Sequence, residues 1–160
     1  MKDTGYRESQ AADMLSGLPF WEHLEYAQKR YAEDHAVFRH YGKGSMIYSS
    51  GSLCLGMACV QKGSVRVYLL SEEGREITLF RLEKGDPCVL SAACVISQIT
   101  FDTYMEAEQD CDLLVIPAAV FRQLTEENIH VKCFVYELMT ERFSSVMWTM
   151  QQILFAGLDR

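Results

Sequence analysis

The chain has 160 residues, 49% hydrophobic and 23% charged, with a formal net charge of −7 and a pI near 5.1. This fits one globular domain with a sizeable core and excludes a disordered chain. The acidic balance also excludes this segment as a holder of nucleic acid, since duplex binding rests on Lys and Arg neutralising phosphates, and no run approaches the ~18 apolar residues of a membrane helix.

Met1 to Gln10 is polar, without the apolar core of a signal peptide, so a cytosolic location is expected. The spacing of Phe20, Leu24, Ala27 and Tyr31, with Pro19 in a first-turn position, predicts a helix over 18–32. The pattern then changes to short strands: Val37 to Tyr41, Ser45 to Tyr48, Gly56 to Gln61, Ser64 to Leu70, Glu76 to Leu82, Thr103 to Ala107 and Asp112 to Ile116. Lys62-Gly63 and Glu73-Gly74 read as hairpin turns, because glycine reaches positive φ without a Cβ clash. Many short strands at close spacing predict a sandwich, roll or barrel.

Between these strands lies Lys84-Gly-Asp-Pro-Cys-Val-Leu-Ser-Ala-Ala-Cys-Val-Ile96, a Gly-Asp turn followed by small apolar residues, which reads as a pocket wall. From Gly85 to Phe121 there is no Lys or Arg, whereas Asp86, Asp102, Glu106, Glu108, Asp110 and Asp112 all fall there. Such local charge is expected to oppose a phosphate-bearing ligand. Ser91 reads as the N-cap of a one-turn helix through Ile96, leaving the N–H groups of Ala93 and Cys94 free for a small anion. No G-x-S-x-G context makes Ser91 a nucleophile. The six cysteines, Cys54, Cys59, Cys88, Cys94, Cys111 and Cys133, form no C-x-x-C and are expected to be reduced thiols that pack as small apolar groups.

A short helix over about Ala118 to Thr125 is followed by Asn128, an N-cap for a helix running to about Leu158, some ~45 Å at ~1.5 Å per residue. Met139, Phe143, Val146, Met150, Ile153 and Gly157 recur with alternating spacings of four and three, the seam of a two-stranded coiled coil. A homodimer interface is expected on these six. Leu138, Met147, Trp148, Leu154 and Phe155 add apolar positions, so one helix can face both a partner and its own roll. The division expected is 1–127 for helix and roll and 128–160 for the dimerisation helix.

A helix, a glycine-punctuated roll containing Lys62-Gly-Ser-Val-Arg-Val-Tyr68, then Gly74 to Leu82, Gly85-Asp86, Leu113-Leu-Val-Ile-Pro117 and a long heptad helix resembles the sensor half of the Crp/Fnr transcription regulators. The resemblance covers nearly the whole chain. It implies a mainly β fold, the double-stranded β-helix or jelly roll of the cyclic-nucleotide-binding type, followed by a long dimerisation helix. It also implies a helix-turn-helix domain after that helix; the sequence stops at Leu158-Asp-Arg160, about where the family's hinge would lie, so DNA is expected to be met only through a domain absent from this chain.

The resemblance also points to an effector site at Cys88, Val89, Leu90, Ser91, Ala92, Cys94, Thr103, Val146, Met147 and Met150. Nucleotide-binding members hold the cyclic phosphate with a Gly-Glu pair and an Arg. Here Ser91-Ala92-Ala93 and Phe101-Asp102-Thr103 stand in the comparable places, and Val146 and Met147 stand where hydroxyl residues would read adenine. Cyclic AMP is therefore not expected, and a hydrophobic small molecule, a planar cofactor or no ligand at all suits the pocket better. The iron–sulfur branch needs N-terminal cysteines, and none precedes Cys54. The haem branch carries Cys and His after the Gly-Asp turn, where this chain has Val89 and Ser91, and no His lies between His40 and His130. Cupin enzymes share this kind of roll but need a histidine pair within the strands, which is missing. The expectation is an effector-sensing, dimerising, non-enzymatic domain; the alternatives are a ligand-free dimerisation module or a haem or thiol redox sensor of the same family, with a cupin-like metalloenzyme as a remote one, and the cofactor is unassigned.

Overall fold

Alternation of apolar and polar residues decides which side of each strand is inside, and two such faces close on one another. A computed structural model describes residues 2–49, 54–92 and 102–157. In chain order these form helix α1 (Lys2–Ser16), a 3-10 turn (Trp21–His23), α2 (Tyr26–His35), and strands β1 (Val37–Tyr41), β2 (Met46–Tyr48), β3 (Gly56–Lys62), β4 (Val65–Leu70), β5 (Glu76–Leu82) and β6 (Pro87–Cys88). A second 3-10 turn (Leu90–Ala92), β7 (Tyr104–Ala107), β8 (Cys111–Pro117), α3 (Ala118–Glu127) and α4 (Ile129–Ala156) complete the order. The strands make two antiparallel four-stranded sheets, β1-β8-β3-β6 and β2-β7-β4-β5, and so a β-roll.

Two cores share one sheet. Inside the roll, Val65, Val67, Met105 and Ala107 pack with Ala58, Val60, Leu113, Val115 and Leu82. On the outer face of the first sheet, Met57, Cys59, Leu114 and Ile116 pack with Leu15, Phe20, Trp21, Phe121, Leu124, Val131, Phe134 and Leu138 from the helices. Strands β3 and β8 are thus buried on both sides, which is why their sequences run apolar without alternation.

The N-terminal region departs from the sequence expectation. Instead of one helix over 18–32 there are α1, a 3-10 turn and α2, which begins at Tyr26 where the Gln28 side chain accepts the Glu25 N–H at 3.0 Å. The Lys62-Gly63 hairpin is also corrected: β3 pairs with β8 and β6, β4 with β5 and β7, so Gly63 carries the chain from one sheet to the other. Glu73-Gly74 does join a hairpin, β4 to β5, with Gly74 at φ +87°.

Helix α4 is about 42 Å long at ~1.5 Å per residue. Asn128 caps it as expected, its Oδ1 accepting the His130 N–H at 2.9 Å while its Nδ2 donates to the His23 carbonyl at 3.0 Å. The first half is held in the helical core through Val131, Phe134, Val135 and Leu138. The second half changes character: from Phe143 to Gly157 there is no charged residue, yet Phe143, Met147, Trp148, Met150, Ile153, Leu154 and Phe155 are all exposed. Gly157 sits just past the last helical residue.

Candidate functional site

Where α4 leaves the helical core it passes the β4–β5 hairpin, and a cleft of about 500 Å³ opens between them. The roll supplies Leu69, Leu79, Phe80 and Leu90; the helix supplies Tyr136, Met139, Thr140, Arg142, Phe143 and Val146. Tyr136, Met139, Phe143 and Val146 recur every three or four residues, with Thr140 and Arg142 beside them, so the helical members form one stripe down α4. The Thr140 hydroxyl is already spent on the Tyr136 carbonyl at 2.8 Å. Arg142 is the charged residue of the lining: its guanidinium lies 4.5 Å over the Phe80 ring centroid, and Nη2 donates to the Pro87 carbonyl at 3.3 Å.

The floor is fixed by the turn at Leu90–Ala92. The fully buried Ser91 donates its hydroxyl to the Gly56 carbonyl at 2.6 Å, and its own carbonyl accepts the Leu55 N–H at 3.0 Å. Ser91 therefore ties the turn to β3, presenting Leu90 to the cleft. It is the middle of this 3-10 turn and not the N-cap expected from sequence; the anion site at Ala93 and Cys94 lies outside the described residues.

Of the expected effector residues, Leu90 and Val146 line this cleft. Cys88, Val89, Ser91, Ala92 and Thr103 are buried side chains that do not line it. Met147 and Met150 are exposed on α4, and Cys94 lies outside the described residues. Three members of the expected seam, Met139, Phe143 and Val146, are also cleft residues, while Met150 and Ile153 continue the stripe beyond it. Sequence reasoning passed over Arg142, Phe80, Leu69, Leu79, Tyr136 and Thr140; the spacing of Tyr136, Met139, Phe143 and Val146 was the available signal for Tyr136.

The acidic residues that the sequence placed around the pocket face elsewhere. Glu106 accepts from Arg66 Nε at 2.8 Å and Glu108 from Arg81 Nε at 3.0 Å, and Asp102 is exposed. Asp86 accepts the Glu83 N–H, Asp110 the Lys43 N–H, and Asp112 lies 2.6 Å from His40 Nδ1. None of these carboxylates lines the cleft.

Burial pushes the Cys59 thiol up to about 12, with the nearby Cys88 adding to the rise, and burial also raises Cys88 and Cys111. The one S–H of Cys111 is shared between the Ser64 and Gln109 carbonyls, 3.1 and 3.0 Å from its Sγ. These three are neutral thiols packed as apolar groups. Cys54 differs from the expectation of reduced thiols, being disulfide-bonded. Among the described residues no group of three or more His, Cys, Asp and Glu is placed to hold a metal, and no helix is long and apolar enough to cross a membrane.

The family model of the cyclic nucleotide-binding domain matches residues 38–128, more than half of the chain and all of the roll but its first residue, Val37. The chain belongs to that family. This cyclic nucleotide-binding domain is similar to a putative transcriptional regulator of the Crp/Fnr family from Eubacterium rectale, with 41% identity over 88% of this chain and 65% of that one, at a TM-score of 0.84. It spans less than two thirds of that relative's length. Catabolite activator protein from Thermus thermophilus shares 21% identity over 86% of this chain and 63% of its own, TM-score 0.64. The sensor domain of the transcriptional regulator DNR from Pseudomonas aeruginosa shares 15% over 84% and 89%, TM-score 0.69. At these identities the last two show the fold alone. No curated protein matches the sequence. The fold is therefore that of the cyclic nucleotide-binding domain, and over most of its length the chain is similar to a Crp/Fnr-family regulator.

Proposed function

We propose that this domain is the effector-sensing and dimerisation part of a Crp/Fnr-type transcription regulator of the cytoplasm, that its effector is not a cyclic nucleotide, and that DNA is read by a domain outside the chain. The observation that carries this reading is the double use of Met139, Phe143 and Val146, which edge the cleft and belong to the apolar seam of α4. A molecule entering the cleft presses on the same side chains that a second copy would grip. It can therefore shift two seam helices relative to one another, and coupling of this kind needs only a difference in contact between two packing states. The cleft's apolar walls support the exclusion of a nucleotide, because a purine and a ribose would bury more donors and acceptors than the Arg142 fork and the Thr140 oxygen can meet. A dimer through α4 is supported by the long uncharged, exposed stretch from Phe143 to Gly157, a surface that water disfavours.

Native mass spectrometry of the chain tests both halves. The expected result is a dimer, converted to monomer by Ile153→Glu with little change in melting temperature, since Ile153 is 52% exposed in the protomer. Cyclic AMP is expected to leave the melting temperature unchanged. A wild-type monomer would refute the dimer, and a cyclic AMP adduct would refute the effector class.

A further inference from the structure

The effector-sensing reading leaves the chemistry of the effector open, and the cleft itself narrows it. Its walls are Leu69, Leu79, Phe80, Leu90, Phe143 and Val146, so the body of a ligand held there is apolar. The volume, about 500 Å³, lies within the ~300–1,000 Å³ range of small-molecule sites. One feature does not fit a purely apolar occupant. Arg142 brings a full positive charge to the rim and, among the described residues, makes a single hydrogen bond of 3.3 Å, to a neutral carbonyl.

Two other arginines of the roll are held by carboxylates. Arg66 pairs with Glu76 and Glu106, each at 2.6 Å, and Arg81 with Glu108 at 3.0 Å. Arg142 has no carboxylate within ion-pair distance among the described residues, and Glu137 and Glu141 line the adjoining groove and not this cleft. Its guanidinium is held flat by the Phe80 ring, which fixes its orientation while leaving most of its five N–H donors for something else.

We infer that the occupant of the α4 cleft is an apolar monocarboxylate, its hydrocarbon or aromatic body between β5 and α4 and its carboxylate on Arg142. A planar carboxylate matches the planar fork of the guanidinium in a two-point hydrogen bond, which a neutral head group cannot equal. One cation answers one negative charge; a second anionic group would have no partner among the described residues of the lining. The carboxylate is also a stronger acceptor than the Pro87 carbonyl, so the guanidinium, turning in the plane of its stack on Phe80, exchanges the one bond for the other and releases a tie between the roll and α4. That gives the ligand a different affinity for two arrangements of the helix, the condition for it to act as an effector.

This inference rests on the effector-sensing reading, and the experiment separates the two. The full chain is titrated by calorimetry with decanoate and with naphthylacetate, with the primary amide of each, and with cyclic AMP. At least one acid is expected to bind more than tenfold tighter than its amide, about 1.4 kcal/mol. Arg142→Gln is expected to lower the affinity for that acid at least tenfold and leave the amide unchanged, while Arg142→Lys retains part of the difference. Val146→Trp, which fills the cleft, is expected to abolish binding of acid and amide together. Melting temperatures of the unliganded variants show that each is folded. If acid and amide bind alike, or Arg142→Gln leaves the acid's affinity intact, the head-group assignment is wrong while the cleft remains an effector site. Tighter binding of cyclic AMP than of either acid overturns the inference together with the excluded nucleotide. Binding of none of the probes overturns the inference and the cleft as an effector site.

Discussion

Gly63 and Gly74 have nearly the same backbone, φ +90° and +87°, but different surroundings, and replacing each with Ala separates conformation from space. At Gly74 nothing lies within 4 Å of an added Cβ, so Gly74→Ala carries only the strain of a left-handed backbone, about 1–2 kcal/mol. At Gly63 the new Cβ would lie 2.3 Å from the Asp110 carbonyl oxygen and 2.9 Å from Cys111 Sγ. Neither neighbour can yield cheaply. Cys111 begins β8, opposite Tyr41 of β1, and its thiol holds the Ser64 and Gln109 carbonyls. Relief therefore means displacing the crossing between the sheets, and Gly63→Ala is expected to cost upwards of about 3 kcal/mol, the range of overpacked sites. For a domain of this size about 1 kcal/mol moves the melting temperature by ~2–4 °C, so Gly74→Ala should lower it by a few degrees and Gly63→Ala by about 10 °C or more. Thermal melts with urea titrations decide it. Equal losses for the two variants would refute the tight crossing at Gly63.

Ser91→Ala removes the 2.6 Å hydrogen bond to the Gly56 carbonyl and is expected to cost about 2 kcal/mol in urea unfolding, because the site is fully buried. Alkylation by iodoacetamide below pH 9 should label the exposed Cys133 and spare the buried Cys59. Cys59 also sets an alkaline limit: its thiol ionises near 9.0 when unfolded and near about 12 when folded. Its contribution is complete below pH 9 and is lost as pH rises from there towards 12, at up to about 1.4 kcal/mol per pH unit. Cys59→Val should flatten that part of the stability–pH curve. Arg66→Met should cost about 1–2 kcal/mol by leaving Glu76 and Glu106 without their cation, a difference that shrinks in 1 M salt because the carboxylates are partly exposed.

The strands were legible because Val65, Val67, Met105 and Ala107 alternate with polar residues, and α4 because Asn128 caps a long apolar period. Helix α1 was not: of its described side chains only Ala11 and Leu15 are buried, one pair at i and i+4, too thin a stripe to stand out. The start of α2 was marked by the Glu25 and Gln28 pairing, a capping signal outweighed by the apolar spacing around Phe20. At the cleft the difficulty was distance along the chain. Arg142 lies far in sequence from Phe80 and Pro87, and Arg66 and Arg81 neutralise Glu106 and Glu108 across strands, so a window without Lys or Arg said little about the field in the folded protein.

Strands β3 and β8 work as a plank planed on both faces, with Ala58, Val60, Leu113 and Val115 on the underside and Met57, Cys59, Leu114 and Ile116 on top. A plank tilts as a whole. Repacking a residue beneath it is felt by the helices above, so paired substitutions from the two layers should depart from simple addition although their side chains never touch. Any molecule that wedges the interior therefore has a second, mechanical route to α4, through the timber and not around its edge.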